Sequence, residues 1–227
     1  MNLNSRPSRG LFASFGLFSV IALALAAPPG TAAAAELPPP HLPQDALPVP
    51  LVPQATSYSC GAASLMAVLE YWNVYDAPET ELFKPLHTTS KSGTSEYAMS
   101  ELAQKSYGLT SEVRKGLSLQ DLRDALKDGT TVIVDLQAWS ETPAPDWKTS
   151  WEDGHYVVLV AMDADYAYFM DPSSHGAYAY VPLLELLDRW HDYDEPHGHK
   201  VPFYNLGIFV HGSKPRTRYP APLVRMM

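Results

Sequence analysis

Apolar residues recur in the first half of the chain at the three- and four-residue spacing of a helix face. After Cys60 the apolar positions are 62, 65, 66, 69 and 72, which predicts a helix with Cys60 in its first turn. Cap residues and glycines predict three further helices. These cover Glu79 to Leu86, Thr94 or Ser95 to Gly108, and Leu119 to Lys127 between Ser118 and Gly129.

The second half has short runs of β-branched and aromatic residues between turn residues, a pattern typical of strands. An amphipathic helix is also predicted at Pro182 to Trp190, after a continuation of the sheet at Tyr178 and Tyr180. Helices followed by antiparallel strands predict an α+β fold with two layers and a cleft between them. The predicted strands are Thr131 to Leu136, His155 to Met162, Tyr166 to Met170 and Leu206 to Val210, with a tight turn at Asp163 to Asp165.

The N-terminal region has the pattern of a secretory signal peptide. Arg6 and Arg9 precede an apolar run from Leu11 to Ala27, and alanines at 32–35 precede Glu36. We predict a signal peptide at 1–35, cleaved after Ala35 or earlier near Ala26, with an uncleaved membrane anchor as the alternative. The protein is therefore expected to be exported, to the periplasm or the extracellular space.

The remaining chain divides by composition. Nine of the 21 prolines lie at 28–53, so 36–53 is predicted to be a stiff, extended linker. A single domain is predicted at 54–212 and a C-terminal tail at 213–227. The formal net charge is −9, and the first 35 residues hold two basic and no acidic residues, so the rest carries −11. An acidic domain argues against nucleic-acid binding and against stable membrane association after signal cleavage. We expect a monomer.

Cys60 is the single cysteine, so it has no disulfide partner within the chain. Ser59 is a candidate N-cap, and a thiol in the first turn of a helix is favoured as thiolate by unpaired N–H groups and the helix dipole. Gly61 leaves room for a substrate carbonyl beside the thiol. Gln54 offers an amide donor that, with the Cys60 N–H, would bind a developing oxyanion. An inert, buried thiol is the alternative.

A thiol nucleophile needs a base, and that base needs a group that orients it. With the turn at 163–165, residues whose numbers sum to about 328 face each other, so His155 would pair near residue 173. Asp171 is two residues from that point, and Pro172 keeps it extended. His155 and Asp171 are therefore expected within hydrogen-bond reach, unless His155 is only a strand residue and Asp171 only a turn residue.

These motifs together resemble the bacteriocin-processing, double-glycine leader peptidases, a branch of the papain-like cysteine peptidases. The resemblance covers about residues 50–192 and implies a papain-like fold. It implies Cys60 as nucleophile, His155 as general base and acid, Asp171 as the group that orients His155, and Gln54 as oxyanion donor. It rests on Gln54, Cys60-Gly61-Ala62-Ala63, Gly154-His155-Tyr156-Val157-Val158 and Asp171-Pro172.

The expected function is hydrolysis of peptide or other amide bonds, without a cofactor and with a peptide or protein as substrate. Acyl transfer to an amine by the same residues, as in transglutaminases, stays open. So do a peptide-binding module without turnover and a structural surface protein, the latter supported by the predicted linker. The segment His191 to His199 contains possible metal ligands, but its spacing fits no strong zinc pattern and favours a solvated loop.

Overall fold

The computed structural model describes residues 37–140, 142, 145–195 and 198–226. The predicted signal peptide at 1–35 lies outside the described residues. Within the described ranges, no helix is both long and apolar enough to cross a membrane. The described residues form one unit that begins at Leu37.

Within the residues that the structure describes, five helices lie where the periodicity predicts them. Gly108 ends the third with φ 65°, in the left-handed region that glycine adopts without strain. Ser118 begins the fourth with a complete capping box, in which Ser118 and Asp121 each bond the other's backbone N–H. The helices are α1 (Cys60–Tyr71), α2 (Thr80–Leu86), α3 (Glu96–Tyr107), α4 (Leu119–Lys127) and α5 (Leu183–Arg189), with a short 3-10 helix at Trp147–Thr149.

In the described part of the chain, seven strands form one sheet in the order β1-β8-β2-β3-β4-β5-β9, antiparallel except for β5 with β9, and β6 and β7 form a separate hairpin. The predicted strands are confirmed. Four short strands, β1, β6, β7 and β9, were not predicted, because each has only three to five residues and no regular alternation of apolar and polar positions. The strands are β1 (Thr110–Arg114), β2 (Thr131–Gln137), β3 (Gly154–Met162), β4 (Tyr166–Met170), β5 (Tyr178–Pro182), β6 (His191–Asp194), β7 (Val201–Tyr204), β8 (Gly207–His211) and β9 (Leu223–Arg225).

The α+β prediction is confirmed, but the expectation of two layers is wrong. Alternating residues of β3 enter different cores, because successive side chains of a strand point to opposite faces. Val158 and Val160 pack with α1, α2 and α3, whereas Val157 and Leu159 pack with α4 and α5. Helices therefore cover both faces of the sheet.

The predicted hairpin register is confirmed next to the site. Val158 faces Met170 and Leu159 faces Phe169, and both pairs sum to 328. A β-bulge between Leu159 and Ala161 shifts the remaining pairs by one residue. The pairs between the bulge and the turn sum to 329, so the bulge, which lies between the turn and the site, gives the sum of 328 on the His155 side.

Residues 37–53 contain no helix or strand and turn at Gln44 and Asp45, but they are not a detached linker. Leu47, Val49 and Val52 are buried in the core that contains α1. The Leu47 N–H donates to the Val160 carbonyl at 2.8 Å, and the Tyr178 hydroxyl donates to the Val49 carbonyl at 2.6 Å. The predicted tail also contributes to the domain, because β9 adds a parallel strand to the sheet.

Candidate active site

The start of α1 places Cys60 at the edge of the domain. Helix α1 begins at Cys60, as predicted, and Cys60 is partly exposed. Ser59 occupies the N-cap position but makes no side-chain capping bond. Its hydroxyl instead accepts from the Thr56 N–H at 3.1 Å and closes the preceding turn. The Cys60 N–H makes no hydrogen bond within the described residues, which leaves it available to a ligand.

Glu79 stabilises the loop that precedes Cys60, a role that the sequence did not indicate. Its carboxylate accepts from the Ala55 N–H at 2.6 Å although Glu79 is 7% exposed. Burial raises the pKa of Glu79, and hydrogen bonds from Ser59 and the Ala55 N–H oppose that rise. The contact crosses 24 residues, so local sequence patterns carry no signal for it.

Gly61 has a different role from the predicted one. A Cβ built on Gly61 would lie 2.7 Å from the Thr94 Cβ and 3.1 Å from the Tyr156 Cδ2. The space beside Gly61 is therefore filled by these side chains and is not open to a substrate carbonyl. Gly61 allows α1 to approach β3 closely, which brings Cys60 against the strand that carries His155.

His155 and Asp171 lie together at the end of the β3–β4 hairpin. His155 is fully buried, and its Nε2 donates to Asp171 Oδ1 at 2.7 Å. The other ring nitrogen, Nδ1, has no conventional hydrogen-bond partner among the described residues, and Cys60 is the thiol that interacts with this imidazole. With Nε2 bonded to Asp171, Nδ1 is the atom free to exchange a proton with sulfur.

The electrostatics favour a thiolate–imidazolium pair. Burial opposes the charge on Cys60, but hydrogen bonding and charge interaction with His155, then the Tyr156 and Gly61 N–H groups, lower the pKa of Cys60 below its usual value of 9.0. Burial also opposes the charge on His155, but Asp171 and Cys60 outweigh it and raise the pKa of His155 to about 9. The structure therefore allows both charged forms near neutral pH.

Asp171 is held by more than the histidine. Its Oδ1 also accepts from the Ser173 N–H and hydroxyl, both at 2.8 Å, and its Oδ2 accepts from the Ser174 hydroxyl at 2.9 Å. Despite burial, the bonds from His155 and Ser173 lower the pKa of Asp171 to about 2. The sequence Asp171-Pro172-Ser173-Ser174 is a turn pattern that carries a signal for these bonds.

Trp139 covers the imidazole on the cleft side. Its ring centroid lies 4.6 Å from that of His155, and its backbone has φ 54°. A residue other than glycine in this region costs free energy, so contacts of the side chain stabilise it.

Gln54 lies in the loop that precedes Cys60. Its backbone N–H donates to the Pro172 carbonyl at 3.1 Å, which joins the Cys60 loop to the Asp171 turn. Its side-chain Nε2 donates to the Thr56 carbonyl at 2.7 Å, and its Oε1 is buried without a partner among the described residues. The second N–H of this amide remains available, and Gln54 does not line the cleft described next.

An open cleft of about 720 Å³ extends from Cys60 between α3 and the small hairpin of β6 and β7. The rings of Trp139, Trp151 and Tyr156 line part of it. Among the described residues, six carboxylate side chains also line it, and Lys91 is the single basic residue there. The sequence did not indicate this cluster, because its acidic residues come from distant segments. They are Glu96, Asp135, Glu152, Asp192, Asp194 and Glu195.

The histidine-rich segment after α5 is partly structural. His191 opens β6, its ring Nε2 bonds the Ser150 carbonyl at 2.7 Å, and the ring stacks on Trp151 at 4.2 Å between centroids. The prediction of a solvated loop is therefore wrong for 191–194, which form strand β6 paired with β7. Residues 196 and 197 lie outside the described residues. Within the described ranges, no group of three or more His, Cys, Asp or Glu side chains is arranged to hold a metal ion.

A helix-borne cysteine against a sheet-borne histidine defines the papain-like class of fold. Three solved structures share this fold. A C39-like peptidase from Bacillus anthracis has a TM-score of 0.53 and 18% identity, and the match covers 74% of this chain and 96% of that one. A double-glycine motif protease from a PCAT transporter, solved with its leader peptide, has a TM-score of 0.51 and 21% identity, covering 74% and 94%. The peptidase domain of Streptococcus ComA has a TM-score of 0.51 and 18% identity, covering 73% and 99%.

The chain belongs to the Peptidase_C39 like family, whose pattern matches residues 46–195. No curated protein matches it in sequence. The family and the fold together support a cysteine peptidase.

Proposed function

We propose that the protein is an exported cysteine peptidase that hydrolyses peptide bonds with Cys60, His155, Asp171 and Gln54. The observation that carries this proposal is the 2.7 Å bond from His155 Nε2 to Asp171, with Nδ1 of the same ring left for the Cys60 thiol. An open cleft beside the sulfur supports it as well. A buried, inert thiol would have no such channel.

The reaction would begin with attack of the Cys60 thiolate on a substrate carbonyl. The resulting oxyanion would accept hydrogen bonds from the Cys60 N–H and from the second Nε2–H of Gln54. His155 would then protonate the leaving amine through Nδ1, while Asp171 keeps the ring in place and stabilises its charge. Water activated by the same nitrogen would hydrolyse the thioester and regenerate the thiol.

The substrate is proposed to be a peptide or protein. The protease from the PCAT transporter was solved with a leader peptide, so a related fold binds a peptide. In the present chain an open cleft of about 720 Å³ lies beside Cys60. Six aromatic residues of the described chain line it and supply apolar contact area for substrate side chains.

The test is cleavage of a complex peptide mixture, read by mass spectrometry, with the wild type and Cys60→Ala. We expect new termini only with the wild type, and none after treatment with iodoacetamide. An added amine separates hydrolysis from acyl transfer, because transfer would place the amine on the new carboxyl end. Cleavage that survives Cys60→Ala would refute the proposal, as would its absence in the wild type at every pH from 4 to 9.

Export is tested separately. Expression of the full chain, followed by cell fractionation and N-terminal sequencing, is expected to give a mature protein outside the cytoplasm. Its first residue should be Glu36 or lie near Ala27. A cytoplasmic protein with an intact N-terminus would contradict this part of the proposal.

A further inference from the structure

The cleft contains a buried carboxylate that the catalytic steps do not use. Asp135, on β2, is 3% exposed, and its Oδ1 has no hydrogen-bond partner among the described residues. It lines the same cleft as Cys60. A buried carboxylate oxygen without a partner is costly, so one retained beside a nucleophile indicates a ligand that completes it.

Asp135 is surrounded by other negative groups. Burial, then the charges of Asp192, Cys60 and Glu96, raises the pKa of Asp135 well above its usual value, and the Tyr156 hydroxyl offsets this only in part. Burial is also the main reason that the pKa of Asp192 is raised to about 6. Like charges have thus been brought together in a site of low polarity.

The nearby cation is already engaged elsewhere. Lys115 Nζ lies 3.2 Å from Glu96 and 2.9 Å from Asp194, so it compensates those two carboxylates. Lys200 only weakly lowers the pKa of Asp192. Neither Asp135 nor Asp192 forms an ion pair with any side chain that the structure describes. No ion pair with a described residue therefore compensates the carboxylates of Asp135 and Asp192.

Backbone geometry puts the two carboxylates next to the catalytic histidine. Asp135 pairs across the sheet with Tyr156, the residue after His155. Asp192 packs so closely on Gly154, the residue before His155, that a Cβ built there would collide with its carboxylate. A group bound by Asp135 and Asp192 would thus lie in the same cleft as Cys60, beside the strand that carries His155.

We propose that Asp135 and Asp192 form a subsite for a cationic side chain, lysine or arginine, of the peptide substrate. This inference rests on the proposed peptidase function and adds its substrate class. An ammonium or guanidinium group in the site would pair with both carboxylates, since neither forms an ion pair with another described side chain. The alternative is a carboxylate pair that shares a proton and contacts no ligand.

The first experiment compares cleavage of matched peptides. In each pair, lysine at one position from P3 to P2′ is replaced by norleucine, which keeps the length and removes the charge. We expect the wild type to prefer lysine at one position by about tenfold or more in kcat/KM, and Asp135→Asn and Asp192→Asn to lose most of that preference. Asp128→Asn, an exposed carboxylate at the end of α4, is the charge-matched control and is expected to keep it.

A second experiment needs no turnover, because Cys60 is the single cysteine. Its alkylthiolation by methanethiosulfonates that carry a trimethylammonium, no charge or a sulfonate is followed by mass spectrometry. We expect the cationic reagent to react about tenfold faster than the anionic one, and this ratio to fall at least about threefold in Asp135→Asn and Asp192→Asn but not in Asp128→Asn.

The outcomes distinguish the two proposals. Cleavage without a lysine preference refutes the subsite and leaves the peptidase intact. If no peptide is cleaved, the peptidase proposal fails, and the thiosulfonate rates alone decide the subsite. Equal ratios in the wild type and Asp135→Asn would then overturn it. Circular dichroism of each variant confirms that the compared proteins are folded.

Discussion

The sharpest test of the site is Asp171→Asn, which removes the charge behind His155 and keeps the shape of the side chain. Burial raises the pKa of Asp171. The hydrogen bond and charge of His155, together with the bonds from Ser173, outweigh burial and lower this pKa from 3.8 to about 2. This lowering of the pKa of Asp171 corresponds to roughly 2 kcal/mol. Because the coupling is mutual, loss of the Asp171 charge should lower the pKa of His155 from about 9 to roughly 7–8.

The measurement is NMR titration of the imidazole resonances, with His155 assigned by its disappearance in His155→Ala. The rate of Cys60 alkylation by iodoacetamide depends on the same ion pair and should show a plateau when it is plotted against pH. The alkaline end of this plateau should move to lower pH as the pKa of His155 falls. Asp165→Asn, at the tip of the same hairpin, is the control and should leave both curves unchanged. A pKa of His155 that stays near 9 in Asp171→Asn would refute the assignment of Asp171 as its partner.

Three further substitutions test the packing, the buried acids and the oxyanion donor. Gly61→Ala should destabilise the protein by about 1–3 kcal/mol in urea denaturation, because its Cβ meets the Thr94 Cβ at 2.7 Å, and Thr94→Gly in the same chain should restore part of this. Asp192→Asn should be more stable than the wild type at pH 7 by on the order of 1–2 kcal/mol, allowing for its partial exposure, but not at pH 4. The folded pKa of Asp192 is raised, so its stabilising protonated form is complete below about 4 and is lost as pH rises through about 6. Gln54→Ala should reduce kcat by about 10²–10³ while the alkylation rate of Cys60 stays within about twofold.

Each of these has a result that would count against the reasoning. Unchanged stability of Gly61→Ala would show that α1 and β3 do not need their close approach. An equal stability difference for Asp192→Asn at pH 4 and pH 7 would exclude the raised pKa as its cause. Full kcat in Gln54→Ala would remove Gln54 from the site.

Much of the fold follows from local patterns. The five described helices have the bounds that periodicity and caps predict to within two residues. The two β3–β4 pairs next to the site sum to 328, as the position of the turn predicts, although a β-bulge that the sequence did not indicate shifts the pairs nearer the turn by one residue. By contrast, β1, β6, β7 and β9 form strands because they pair with neighbouring strands. Their own residues have no periodicity that specifies a strand. The predicted linker packs on the domain for a similar reason, because Val49 and Val52 find apolar neighbours that are distant in sequence.

For the site, the sequence by itself determined that a helix begins at Cys60 and that His155 and Asp171 end two strands of one hairpin. These features depend on residues within one element or one turn. Only the tertiary structure decided that Thr94 and Tyr156 fill the space beside Gly61, that Glu79 supports the Cys60 loop, and that Asp135 meets Asp192 beside the nucleophile. Such contacts, and the pKa values that follow from them, arise between side chains far apart in the chain, where burial and charge add up only after folding.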